Sequence, residues 1–303
     1  MFDCLEDCDD VWTQLASAMC KNSYGEVWYW NGNRKVKYRE NFIERWLPSI
    51  DQKASFEPDV IFARGGFKQY DSLLRRYPNA FKIYYGAGRR FYPESGFKNY
   101  DLILNNTPEQ SVKTRKLFPG TRVETFIKPA SDDIFYPRNT EKECDAIFVG
   151  NEHAKDIKGH SFVIPTFPKD MSMIQVGIAS KKIKNGHTNI KFTEWIPRKE
   201  LPDFYSKAKF AIVWCKEDID SCPRVIPEAL ACGCPLLVKK KTTFWHEKYI
   251  SEKTGMFCNE NNFSEKCKWM NDNYKYFSAR DYYDKNLSLH KATEHILKMI
   301  PNK

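Results

Sequence analysis

Asp220-Ser-Cys-Pro-Arg-Val-Ile-Pro-Glu228-Ala-Leu-Ala-Cys-Gly-Cys-Pro-Leu-Leu-Val238 sets two carboxylates, separated by seven residues, ahead of a run of small residues, a glycine and an apolar segment. Upstream lies Phe210-Ala-Ile-Val-Trp-Cys215, short, apolar and rich in strand formers, which reads as a buried parallel strand. Between these apolar runs a helix is expected to carry Glu228-Ala-Leu-Ala-Cys232 and to stop at Gly233, because glycine enters the left-handed region without steric cost. Pro227 lacks a backbone N–H and suits the first helical position, which predicts a helix beginning at Pro227 and not nearer Pro223. A strand, loop, helix, strand unit follows.

In such a unit the loop after the strand and the start of the helix form a ligand crevice, where unpaired backbone N–H groups and the helix dipole favour a phosphate. Asp220 lies in that loop, with Cys222, Pro223, Arg224 and Val225 leading into the helix. Glu228, near the helix start, can accept hydrogen bonds from two vicinal hydroxyls, as on a ribose.

These residues resemble the C-terminal signature of retaining GT-B glycosyltransferases, the group that includes sucrose and glycogen synthases. Its pattern is Glu, seven residues, Glu, then Ala-x-Ala-Cys-Gly-x-Pro, and Glu228, Ala229, Ala231, Cys232, Gly233 and Pro235 stand at the matching positions. The resemblance implies an α/β chain of the GT-B fold, two Rossmann-like domains facing across a cleft. It further implies a nucleotide-diphosphate sugar donor, foremost a UDP-sugar, with neither metal nor cofactor, and transfer that retains the anomeric configuration. Asp220 stands where the group has Glu, which draws the carboxylate back by about 1.5 Å.

A second stretch, Gly150-Asn-Glu-His-Ala-Lys-Asp-Ile-Lys158-Gly159, is similar to the group's Gly-Arg loop ending in Lys-Gly, whose cations hold the donor diphosphate. Lys158 matches that lysine. Asn151 stands in place of the arginine, and Lys155 or Arg224 is available to restore the charge. The resemblance thus assigns Asp220 and Lys158 to catalysis, and Glu228, Gly150, Asn151, Arg224, Cys222, Pro223 and Val225 to the donor nucleotide. The group's histidine near the donor sugar has no counterpart, since the corresponding strand ends in Gly86-Ala-Gly-Arg89-Arg90. His153 and His160 flank the diphosphate loop, but a lone histidine is more often packed or on the surface than catalytic.

Composition fits a two-domain enzyme. The chain has 303 residues, 42% of them hydrophobic, enough for two cores, and a mean hydropathy of −0.63. No run approaches the roughly 18 apolar residues of a spanning helix, and the acidic start Met1-Phe-Asp-Cys-Leu-Glu-Asp7 is unlike a signal peptide. A cytoplasmic setting is expected. The ten cysteines are scattered, without paired C-x-x-C spacing, and read as buried free thiols with no metal site.

Short apolar runs alternating with helical patterns argue for parallel sheets. Glu26–Trp30, Pro58–Phe62, Ala80–Tyr85 and Tyr100–Leu104 supply strands of an N-terminal half, and a charged amphipathic segment spans Tyr38 to Ile50. The polar stretch Tyr136–Glu143 is the expected boundary. Asp145–Val149, Met173–Gly177, Ile190–Phe192, the Phe210 and Leu236 runs and Gly255–Cys258 supply strands of the second half. Domains of residues 1–138 and 139–282 are expected, with 283–303 packing back on the first. Ser264–Tyr276 and Asp281–Met299 read as helices.

The acceptor belongs to the N-terminal half. Residues 51–100 hold nine Lys/Arg against five Asp/Glu, with Arg64, Gly65, Gly66, Arg89 and Arg90 at expected strand ends. A net charge of +9 suits a polyanionic acceptor such as DNA, or an anionic membrane surface. Three readings follow: transfer to a saccharide or lipid-linked glycan, transfer to a hydroxymethylated DNA base, and a catalytically weak nucleotide-sugar binder.

Overall fold

The computed structural model describes residues 15, 18–19, 25–29, 37–38, 42–46, 57–64, 74–86, 99–126, 128–153, 155–215, 223–240 and 249–301. Two compact units divide the chain, Met1–Ile127 with Leu289–Lys303, and Lys128–Ser288.

In the first unit β1 (Gly25–Tyr29) runs parallel to β3 (Phe42–Trp46), and β2 (Lys37–Tyr38) pairs antiparallel with β3. The charged segment 38–50 thus contains a strand: Phe42, Ile43 and Trp46 suit a ladder, and pairing with Val27, Trp28 and Tyr29 decides its state. A second sheet holds β4 (Val60–Arg64), β5 (Phe81–Gly86), β6 (Leu102–Asn105) and β7 (Arg122–Thr125), all parallel in that order. Alternation decides its two cores. Ile83, Tyr85, Leu102 and Leu104 pack with Phe126, Ala292, Ile296 and Met299, while Tyr84 and Ile103 pack with Ala63, Leu74 and Val123. Helix α1 (Pro108–Leu117) starts on Thr107, whose hydroxyl accepts from Gln110 N at 3.2 Å, with Pro108 in the first turn.

In the second unit the chain runs β8 (Cys144–Val149), α2 (His160–Thr166), β9 (Met173–Val176), α3 (Lys181–Lys184), β10 (Ile190–Phe192), α4 (Leu201–Lys207), β11 (Ala208–Val213), α5 (Val225–Ala231), β12 (Leu236–Lys239), β13 (Gly255–Cys258), α6 (Phe263–Asn273) and α7 (Ala279–Asn286). Its six strands lie in the order β10-β9-β8-β11-β12-β13 and every pair is parallel. Counted within the unit, that is 3-2-1-4-5-6, the doubly wound order of dinucleotide-binding folds. The order reverses between β8 and β11, which places a ligand crevice outside the carboxyl ends of these two strands. Buried Ala146, Phe148, Phe210, Ile212 and Leu237 fix the sheet on Val163, Ile164 and Met270.

The units divide upstream of the boundary expected at 136–143. Residues 128–142 are tied into the second unit: Tyr283 Oη accepts from Ala130 N at 3.0 Å, Arg138 N donates to Ser206 Oγ at 2.9 Å, and Lys142 Nζ donates to Ala208 O at 2.7 Å. Nor is 281–299 one helix. Leu287 N closes α7 on Tyr283 O at 2.7 Å, Ser288 Oγ donates to Asp284 O at 3.1 Å, and a separate helix, Leu289–Leu297, packs Ala292 and Ile296 on the first unit.

Candidate active site

Helix α5 begins at Val225, two residues before Pro227, and not at Pro227. The first-turn N–H groups of a helix have no intrahelical acceptor, so a residue without one is tolerated up to the third position. The helix ends as its glycine requires: Gly233 takes φ +72°, and Cys234 N donates to Ala229 O at 2.9 Å. Arg280 Nη1 donates to Ala231 O at 2.6 Å, adding a cation at the negative end of α5.

Glu228 sits in the first turn of α5 and is only 5% exposed. Its Oε1 accepts from Arg198 Nη2 at 3.0 Å. Arg198 comes from the turn before α4, and its guanidinium stands 5.1 Å from the centre of the Phe135 ring. Tyr205 is fully buried nearby, and burial first, then the Glu228 charge, raises its phenol pKa well above the ordinary value. Tyr205 Oη and Arg198 Nε have no hydrogen-bond partner among the described residues. Pro223 is buried, Val225 half-buried and Arg224 exposed.

At the other side of the strand-order reversal, the loop after β8 is stitched to the loop after β9. Gly150 N donates to Val176 O at 2.9 Å, Glu152 N to Ile178 O at 2.8 Å, and Ser180 N to Glu152 Oε2 at 2.6 Å. The Asn151 side chain belongs to this stitching, since its Oδ1 accepts from Ile178 N at 2.9 Å. Gly150 O accepts from His160 Nε2 at 3.0 Å and Gln175 Nε2 at 2.9 Å. Burial above all lowers the His160 pKa, so the imidazole is neutral at pH 7.

Lys158 closes the loop, and its Nζ lies 3.8 Å from Cys215 Sγ, just past the end of β11. Gly159 makes this approach possible: its φ is +71°, and a Cβ there would stand 2.2 Å from Trp214 Cδ1. Gly150, Asn151 and Lys158 therefore come together at the carboxyl ends of β8 and β11, and Glu228 lies on the helix that follows β11. Lys155 is exposed on the same loop.

Asp220 and Cys222 lie outside the described residues, as do Gly65, Gly66, Arg89 and Arg90. Arg64 ends β4 opposite Tyr85, and only its backbone is described. Arg198 and Gln175 were not among the expected site residues. No group of three or more His, Cys, Asp or Glu among the described residues could hold a metal ion. Cys144, Cys232 and Cys234 are buried free thiols, and burial pushes Cys144 up to about 11 and Cys234 up to about 12. No helix among the described residues is long and apolar enough to cross a membrane.

Residues 143–272 match the family described as Glycosyl transferases group 1. No curated protein sequence matches the chain. Among solved structures, the chain is similar to a sucrose-phosphate synthase from Thermosynechococcus elongatus, at 12% identity and a TM-score of 0.70 over 94% of this chain and 90% of that one. It is similar to a glycosyltransferase from Rickettsia africae ESF-5, at 13% identity and a TM-score of 0.68 over 95% and 93%. A trehalose-6-phosphate synthase aligns at 12% identity and a TM-score of 0.64 over 95% and 96%. By fold the chain is an α/β protein with the two Rossmann-like sheet domains typical of GT-B glycosyltransferases, and within its second unit residues 143–272 match a glycosyltransferase family.

Proposed function

We propose that the protein transfers a sugar, with retention and without a metal, from a nucleotide-diphosphate sugar to an acceptor hydroxyl of a saccharide or lipid-linked glycan. The observation that carries this reading is the meeting of Gly150, Asn151 and Lys158 at the strand-order reversal, beside a helix that presents a buried glutamate. In this reading the diphosphate lies against Lys158 and the Gly150 loop, and the ribose hydroxyls donate to Glu228. The bond between the anomeric carbon and the diphosphate breaks, and a new bond forms to the acceptor oxygen on the same face. The acceptor proton passes to the leaving phosphate oxygen. Charge gathers on that oxygen as the sugar becomes oxocarbenium-like, and Lys158 and backbone N–H groups offset it. Asp220 holds donor-sugar hydroxyls. A similar structure concerns glycosyltransfer with retention by a trehalose-6-phosphate synthase, which supports the stereochemical part.

A thermal-shift panel of UDP-, GDP- and ADP-sugars tests the donor. A ligand at 100 times its Kd stabilises by about 2.7 kcal/mol, and silence toward all of them would sink the reading. Asp220→Asn and Glu228→Gln are each expected to lower turnover sharply, and wild-type rates in both would remove the assigned roles. Labelled sugar supplied with oligosaccharide, lipid or hydroxymethylated DNA identifies the acceptor class. The non-catalytic alternative draws on the commitment of Asn151 Oδ1 to Ile178 N. It predicts nucleotide binding with no donor hydrolysis when acceptor is withheld.

A further inference from the structure

Two fully buried side chains direct their N–H groups at one backbone oxygen. His160 and Gln175 are both 0% exposed, and both donate to Gly150 O, at 3.0 and 2.9 Å. Each leaves an acceptor behind: His160 Nδ1 and Gln175 Oε1 are buried with no hydrogen-bond partner among the described residues. An unpaired buried acceptor is unfavourable, and two apolar residues of similar size would avoid both. The arrangement therefore works against stability, as groups kept for function do.

What it achieves lies on the opposite edge of the same peptide. No cis bond interrupts the described chain, so the Gly150 carbonyl and the Asn151 N–H point in opposite directions. With the oxygen drawn inward by His160 and Gln175, the Asn151 N–H is turned outward at the carboxyl end of β8. Two donors on the oxygen also polarise the peptide and make its N–H a stronger donor. The surrounding loop cannot easily turn the peptide over. Gly150 takes φ +155°, and a Cβ on Gly177 (φ +122°) would stand 2.6 Å from Gly150 O. Asn151 is anchored from its side chain as well, through Ile178 N.

We infer that His160 and Gln175 are positioning residues of the donor site, holding the Gly150–Asn151 peptide so that its N–H donates to the diphosphate of the nucleotide sugar. The inference rests on the donor reading above. Asn151 brings no charge to the loop, and a fixed, polarised backbone donor is the means by which it meets an anion. The pair touches no substrate and acts only through the peptide.

Calorimetric titration of the full chain with UDP and with uridine separates this role from a purely structural one, using GDP and guanosine or ADP and adenosine where those bind instead. His160→Phe and Gln175→Met each keep the volume and remove one donor. Each is expected to weaken the nucleoside diphosphate about tenfold and to leave the nucleoside unchanged. The double variant is expected to fall well short of a hundredfold loss, because both side chains act on one peptide. His160→Gln returns an N–H near the Nε2 position and is expected to recover most of the affinity. Should His160→Phe fail to fold, Gln175→Met carries the same comparison alone. Equal losses for diphosphate and nucleoside, or no loss for either, would overturn the inference while leaving the donor reading intact. A wild-type chain that binds none of the three nucleoside diphosphates would overturn both.

Discussion

The loop after β8 and the helix after β11 start from the same end of the sheet but are built by opposite means. At Gly150 and Asn151 the loop is held by neutral hydrogen bonds, from His160, Gln175 and Ile178, with glycines where side chains would collide. Helix α5 instead presents a charge, Glu228, taken almost wholly out of water and paired with one guanidinium. A neutral network sets the direction of a backbone group and loses little if one bond goes. A buried charge has no such reserve, because removing its partner leaves the full desolvation penalty.

Breaking the charged side should have the largest effect. Arg198→Leu leaves Glu228 buried without its cation, and a loss of about 3 kcal/mol in urea unfolding is expected, the low end for a buried pair because Arg198 keeps partial access to water. Arg198→Leu combined with Glu228→Leu should recover part of that loss, and a cycle showing no coupling would contradict the account. Gly159→Ala comes next. A methyl group forced against Trp214 at φ +71° should cost about 2–3 kcal/mol and, by displacing Lys158, weaken nucleoside diphosphate binding as well.

On the neutral side the expected effects are smaller. The His160 pKa is lowered by burial, so the unfolded chain binds a proton there more readily than the folded one. Its contribution to stability is therefore complete above about pH 6.5 and is lost as the pH falls through the folded-state value. Unfolding free energies at pH 7.5 and 5 should accordingly differ less in His160→Gln than in the wild type. Asn151→Ala removes one exposed bond to Ile178 N and should cost at most about 1 kcal/mol. A larger loss would show that the loop depends on that side chain more than on the buried pair beneath it.

The sequence made the residues of the loop and the helix legible and their distant partners almost invisible. Glu228, the glycine that ends its helix and the strand beyond it follow from local rules, as does Lys158 beside a glycine. Gln175 sits inside Met173–Gly177, an ordinary strand by composition, and its function comes from a carbonyl 25 residues away. Arg198 looked like any surface charge after a proline, and its partner lies 30 residues on. Phe42–Trp46 illustrates the same limit in the fold, since its charges suit a helix and only pairing with β1 makes it a strand.

Residue type and spacing alone therefore determined the alternation of strands and helices and the break at Gly233, because backbone freedom and apolar period are properties of short segments. Tertiary structure decided the strand order that brings the β8 and β11 loops together, the start of α5 at Val225, the pairing of Glu228 with Arg198 and the convergence of His160 and Gln175 on Gly150. These depend on which distant groups are packed within about 3 Å of one another, a length at which hydrogen bonds form and which no local pattern encodes.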